Sequence, residues 1–323
     1  MKKLIIISSF IVFCSLFILF IYKGLIFNDR RPKIYMIVKV ERKDFDFWNI
    51  LKMGAQAAAK EYNCDFISVG PNDEGRAKDQ IALVKNAIRN KPDAIILAAV
   101  DKYELSTVAK EVAGNNISLL TIDSDVDVTL RSSLISTDNV AASKDMGVKL
   151  ATMLNNKGEI GIINFVSNSS TAIQREKGFK QAISNYKDMV IVSTKYCDGN
   201  VDKSYSLTKQ LLQNYPNLKG IFGANQQSLE GINLAVRELG KQKQVIVVGF
   251  DSSISIIKGM EDDVIKAIAV QKPFNMGYIS VKSAMEAIKG KKLESNIYIG
   301  YEIVTKDTIY EPKNEKLLFP FGE

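Results

Sequence analysis

From Pro32 onward the chain alternates short apolar runs with longer amphipathic stretches. The runs IYMIV (34–38), CDFISV (64–69), DAIILA (93–98), SLLTI (118–122) and EIGIINF (159–165) are rich in β-branched residues and too short for helices. MVIVSTKY (189–196), GIFGA (220–224), VIVVGF (245–250) and IKAIAVQ (265–271) continue the series, and all nine predict buried strands. Between them, apolar positions recur at helical spacing over 48–62, 79–90, 105–115, 141–154, 171–186, 207–214, 229–239 and 274–289. Continuous apolar strands separated by helices belong to parallel sheets covered on both faces. The pattern predicts an α/β protein with two doubly wound parallel-sheet lobes rather than one very large sheet. It breaks once, at DSDVDVTLRSSLISTDN (123–139), which is polar and loop-like and predicts the passage between the lobes. The last 25 residues leave the cycle, and the terminal FPFGE is expected to fray.

The N-terminus follows a different rule. Leu4–Tyr22 runs 19 residues without a charge, about 28 Å as a helix and close to the hydrocarbon thickness of a bilayer. It ends in FIYKGLIF, without small residues at a cleavage site, and Phe13 rather than a small residue precedes Cys14. An uncleaved transmembrane anchor is therefore expected, in preference to a signal peptide or a lipoprotein signal. Lys2 and Lys3 on one flank and Lys23, Arg30 and Arg31 on the other leave its orientation open.

Charge and composition narrow the chemistry. Of the formal +7, most comes from six basic residues against Asp29 in the first 33 positions, so the body has no cationic excess suited to coating nucleic acid. Histidine is absent, which removes the commonest general base and the commonest metal ligand. There is no Walker A sequence, no G-x-S-x-G elbow and no CxxC, and KGEIG (157–161) precedes a strand instead of following one. The acidic run Glu261–Asp262–Asp263 reads as a solvated turn. Cys14, Cys64 and Cys197 make no disulfide framework. No enzyme, cofactor or metal is proposed by these residues.

Ligands of open α/β sheets sit beyond the C-terminal ends of the strands. Read there, the chain offers Phe45, Phe47 and Trp48 after the first strand, Asp101 after the third, and Asn168 and Arg175 after EIGIINF. Asn225, Asp251 and Gln271 follow the later strands. Aromatic rings with Asp, Asn, Gln and Arg are the side chains that recognise a sugar: amides and carboxylates pair with hydroxyls, and rings pack on C–H faces. Each has a plainer reading. Asp101 opens D-x-x-E with Glu104 and would cap a helix, Asn225 and Asp251 stand where N-caps stand, Trp48 would be core, and Gln271 would open a turn before Pro273.

The strings FWNILKMGAQAAAKE, ILAAVD, STDN, SSTAIQREKGF, GIFGANQQSLEGINLAVRELG, VVGFDSS and AVQKPFNMG occur in order between about Lys33 and Gly290. In that order the chain resembles the type I periplasmic sugar-binding proteins, the ribose-, xylose- and galactose-binding group that shares its fold with LacI-type repressors. The resemblance implies two lobes joined by a three-crossover hinge, one formed by 33–122 plus 272–298 and the other by 123–271 plus 299–323, behind an anchor and linker at 1–32. It implies that Phe47 and Trp48 stack on the sugar, that Asp101 binds its hydroxyls, and that Asn225, Asp251 and Gln271 bind from the second lobe and hinge. The ribose-binding arginine falls at Ile173 here, so Arg175 either substitutes for it or holds a turn. An aromatic expected from the second lobe is replaced by Asp198–Gly199–Asn200. The implied ligand is a small aldose, D-xylose before ribose. With an uncleaved anchor the chain is similar to receptors that signal to a LytS-like sensor histidine kinase; a tethered component of an ABC sugar importer, docking on its permease, is the alternative. A repressor would need a helix-turn-helix where the apolar run stands.

Overall fold

The computed structural model describes residue 15 and residues 30–42, 46–127 and 129–319. Apart from Ser15, the Leu4–Tyr22 run lies outside the described residues, as do Phe45, Cys14 and the last four positions of FPFGE. Among the described residues, no helix is long and apolar enough to cross a membrane.

Two six-stranded sheets carry the body. The first contains β1 (Lys33–Ile37), β2 (Asp65–Val69), β3 (Ala94–Leu97), β4 (Ser118–Ile122), β5 (Ser133–Thr137) and β11 (Asn296–Ile299), in the order β11-β5-β4-β3-β1-β2. The second contains β6 (Lys157–Asn164), β7 (Asp188–Tyr196), β8 (Leu218–Gly223), β9 (Ile246–Phe250), β10 (Ile265–Val270) and β12 (Glu302–Thr305), in the order β12-β10-β9-β8-β6-β7. Every pairing is parallel except β10 with β12, which is antiparallel at an edge.

The alternation along β1 explains the double winding. Ile34 and Met36 join one core with α1 (Asp46–Glu61) and α9 (Pro273–Ile288). Tyr35 and Ile37 join another, with α2 (Ala77–Arg89) and α3 (Glu104–Gly114). Because side chains alternate across a strand, a run that is apolar throughout must be covered twice. In the second lobe α4 (Asn139–Met153), α5 (Ser170–Ile183), α6 (Val201–Asn214), α7 (Gln226–Glu238) and α8 (Ile254–Glu261) surround one large core that includes the stacked rings of Phe179 and Phe222. Asp138, Asn200, Asn225 and Ser253 cap four of these helices by accepting an N-terminal amide.

The chain crosses between lobes three times, after Thr137, after Val270 and between Ile299 and Glu302. The first crossing differs from the expectation. Ser133–Thr137 is a fully buried strand of the first sheet, so 123–137 belongs with the first lobe and the passage begins at Asp138. Its serines and threonine disguise it: short hydroxyl side chains are buried where the apolar pattern looks for Val or Ile. The acidic run 261–263 does close a helix and turn into β10, with Asp263 at φ 63°. Cys64 and Cys197 are free thiols.

The helix pair α1–α9 fixes the first lobe. A methyl group at Gly277 would stand 1.9 Å from the Leu51 carbonyl oxygen, and one at Gly54 would stand 1.9 Å from that of Phe274. Two glycines let the helix backbones approach at this crossing. Gly277→Ala should therefore lower stability by about 1–3 kcal/mol or more by overpacking, read as a shifted urea midpoint with an unchanged slope.

Candidate functional site

Both sheets reverse strand order next to their first strand, between β1 and β3 and between β6 and β8, and ligands collect at such switch points. A cavity with about 370 Å³ of unfilled space, its open mouth included, lies there between the lobes.

Phe47 and Trp48, on the first turn of α1, line one side. Their rings meet edge to face with centroids 4.9 Å apart. Trp48 is only 4% exposed and belongs to the first-lobe core as well as to the cavity wall.

From the second lobe come Arg175, Asn225, Asp251 and Gln271. Asp251 takes a left-handed backbone at φ 70°, which Asp tolerates better than most residues. That turn aims its carboxylate back into the cavity: Oδ1 accepts from Gln271 Nε2 at 2.6 Å, and Oδ2 accepts from the Gln226 amide at 3.2 Å. Arg175 reaches Asp251 Oδ2 at 3.5 Å, donates to Asn139 Oδ1 and the Ala224 carbonyl, and lies 4.0 Å above the Phe250 ring. Arg175 thus touches the cavity and also braces it. Asn225 caps α7 through Oδ1, to Ser228 N at 2.9 Å, while its Nδ2 donates to Gln227. The cap and the cavity wall are the same residue, because a strand-to-helix turn puts both at one place.

Two expected residues stand elsewhere. Asp101 is buried outside the cavity lining, and its Oδ1 accepts the Tyr103 and Glu104 amides at 2.8 Å each. The turn that leads into α3 thus holds one oxygen of that carboxylate. Asn168 is exposed, and its carbonyl accepts from the Lys102 amide.

The sequence reading missed Lys39, Glu74, Asp123, Phe165, Thr171, Gln226 and Gln227, all of which line the cavity. Asp123 directly follows β4 and obeys the same strand-end rule as Asp251; placing the lobe boundary there hid it. Lys39 follows β1 inside an apolar stretch, IYMIVKV, and a lone lysine among valines was the available signal. It is 2% exposed, with Nζ 3.0 Å from Asp123 Oδ2, and donates to Ser169 Oγ at 3.1 Å and Thr171 Oγ1 at 2.9 Å across the cleft. The Asp125 amide also reaches Ser170 Oγ at 2.6 Å, so the lobes are closed on each other. Glu74 comes from the loop after β2, where no pattern marked it. Burial pushes its carboxyl above the ordinary range, with Lys39 opposing and Asp123 adding to the rise.

The model for a periplasmic binding protein domain matches residues 34–292. A D-ribose/D-allose-binding protein of Pseudomonas aeruginosa is 28% identical over 275 residues, covering 83% of this chain and 85% of the relative. A carbohydrate transporter solute binding protein from Agrobacterium radiobacter, solved with D-arabinose, superposes with a TM-score of 0.86 at 28% identity, covering 90% of this chain and all of the other. A sugar transporter from Clostridium phytofermentans superposes at 0.79 with 34% identity, covering 85% and 99%.

Arg175→Ala should destabilise the protein by about 3–5 kcal/mol, because it leaves Asp251 buried without its cation. Arg175→Lys should cost less, since it keeps the charge and loses the fork. Urea unfolding without ligand checks both.

Proposed function

The chain belongs to the periplasmic binding protein family, matched over residues 34–292, and from that premise we propose that it is an extracytoplasmic receptor that closes on one neutral monosaccharide. The family consists of non-catalytic binding proteins, and this chain is not an enzyme. The observation that carries the sugar reading is the character of the cavity wall. An aromatic pair faces a set of carboxylates and amides, among which Gln226 Oε1 is buried without a partner. A ligand that offers several hydroxyl donors and an apolar C–H face suits such a wall.

D-Ribose, D-allose and D-arabinose are the first probes, by likeness to relatives that carry those names; D-xylose remains on the list from the sequence resemblance. The relatives' transport role supports a solute-binding component that presents sugar to an ABC permease. The second reading, a receptor that reports to a LytS-like sensor histidine kinase, is favoured by the uncharged Leu4–Tyr22 run, which would hold the body at the membrane beside a partner. In either role the output is the closed population: sugar prefers the closed form and shifts the equilibrium towards it.

Titration calorimetry of the full-length chain in mild detergent should give a Kd of about a micromolar for at least one aldose. The single tryptophan lies in the wall, so its fluorescence should change on binding, and Trp48→Ala should weaken binding by about 0.5–1.5 kcal/mol or more. Silence with every aldose would end the sugar reading. Intact mass of membrane-extracted protein should include residues 1–23; a mature chain starting near residue 24 or later removes the anchor.

A further inference from the structure

Glu74 lines the cavity, is 7% exposed, and among the described residues accepts no hydrogen bond. The nearest cation, Lys39 Nζ, stands 3.7 Å from Oε1. Lys39 Nζ donates to Ser169 Oγ at 3.1 Å and Thr171 Oγ1 at 2.9 Å, and pairs with Asp123 Oδ2 at 3.0 Å. All three stand closer to Lys39 than Glu74 does, and no hydrogen bond joins Lys39 to Glu74. Beside the cavity, the second lobe brings Gly199 against this carboxylate. A methyl group there would stand 2.7 Å from Glu74 Oε2, and the backbone is left-handed at φ 68°. The second lobe therefore meets Glu74 with bare glycine and supplies no side-chain donor at that point.

A buried carboxylate without a donor is expensive for the fold. The group best placed to supply one is a ligand in the cavity that Glu74 lines. We infer that Glu74 is a specificity-determining residue of the sugar site, its carboxylate accepting one hydroxyl of the bound monosaccharide beside Gly199. This rests on the sugar reading above and adds to it which wall selects among aldoses. A sugar with its hydroxyl directed at that wall satisfies the carboxylate; a deoxy sugar, or an epimer turned the other way, leaves it desolvated and unpaired. The upward displacement of the Glu74 carboxyl by burial is consistent with an acceptor that lacks its donor.

The test is calorimetry of the full-length chain with D-ribose, D-allose, D-arabinose and D-xylose, followed by the monodeoxy analogues of the tightest binder. Glu74→Leu removes the acceptor and should raise Kd for the parent sugar about tenfold to a hundredfold, the range for a hydrogen bond to a charged group. For one analogue, and only one, wild type and Glu74→Leu should bind within about twofold of each other, because the lost hydroxyl and the lost carboxylate are the same interaction. Glu74→Gln keeps one carbonyl acceptor and the shape of the side chain, and should show an intermediate loss that vanishes for the same analogue. It decides the matter if Glu74→Leu fails to fold. Equal affinity of wild type and variants for every sugar, or a uniform loss across all analogues, overturns the inference while leaving the sugar reading standing. Failure of wild type to bind any aldose overturns both.

Discussion

Burying charge between the two lobes sets the terms on which they meet. Lys39, Glu74, Asp123, Arg175 and Asp251 are all nine-tenths or more withdrawn from solvent around one small cavity. Charges are expensive in such surroundings unless paired and hydrogen-bonded. The pairs are built from parts far apart in sequence: Lys39 after β1 with Asp123 after β4, and Arg175 on α5 with Asp251 after β9. Their alignment requires every strand to end at the same level, which the parallel order of each sheet provides. Lys39 adds the second lobe's Ser169 and Thr171, so its own hydrogen bonds form only when the lobes meet.

The hinge feels the same constraint. Gln271 stands at the second crossing, donates to Asp251, and accepts from Thr137 Oγ1 at 2.8 Å, at the end of the first. Two of the three connecting strands are thus tied to each other and to the carboxylate that faces the cavity. The orientation of Asp251 is thus coupled to the crossings between the lobes.

Much of this was legible in the sequence for a definite reason. A strand covered on both faces has no polar positions to confuse it, so IYMIV or VIVVGF announces itself. Elements at the margins were harder. β11 and β12 are edge strands with half-exposed positions, and β5 is built from hydroxyl side chains. Asp251, Asn225 and Gln271 line the cavity because strand ends are fixed points of the fold. Asp101 meets the same rule but stands outside the cavity lining, with one carboxylate oxygen held by the Tyr103 and Glu104 amides; Asp123, one strand further on, lines the cavity. Glu74 had no signal at all: a loop residue reaches a cavity by the path of the backbone, which local pattern does not encode.

The three crossings also order the assembly of the protein in time. The first lobe's sheet ends in β11, and its core needs α9 packed on α1 through Gly54 and Gly277, yet both elements follow the second lobe's strands β6 to β10 in sequence. A ribosome releasing this chain delivers five strands of the first lobe with one helical layer incomplete. The second lobe's central strands follow, and only afterwards do the pieces that cover the first lobe's open face. Ile34, Met36 and Trp48 therefore wait for partners more than two hundred residues downstream. Such long-range closure slows folding and prolongs exposure of apolar surface, so the half-made first lobe is the stage at which this chain is most prone to stick to its neighbours.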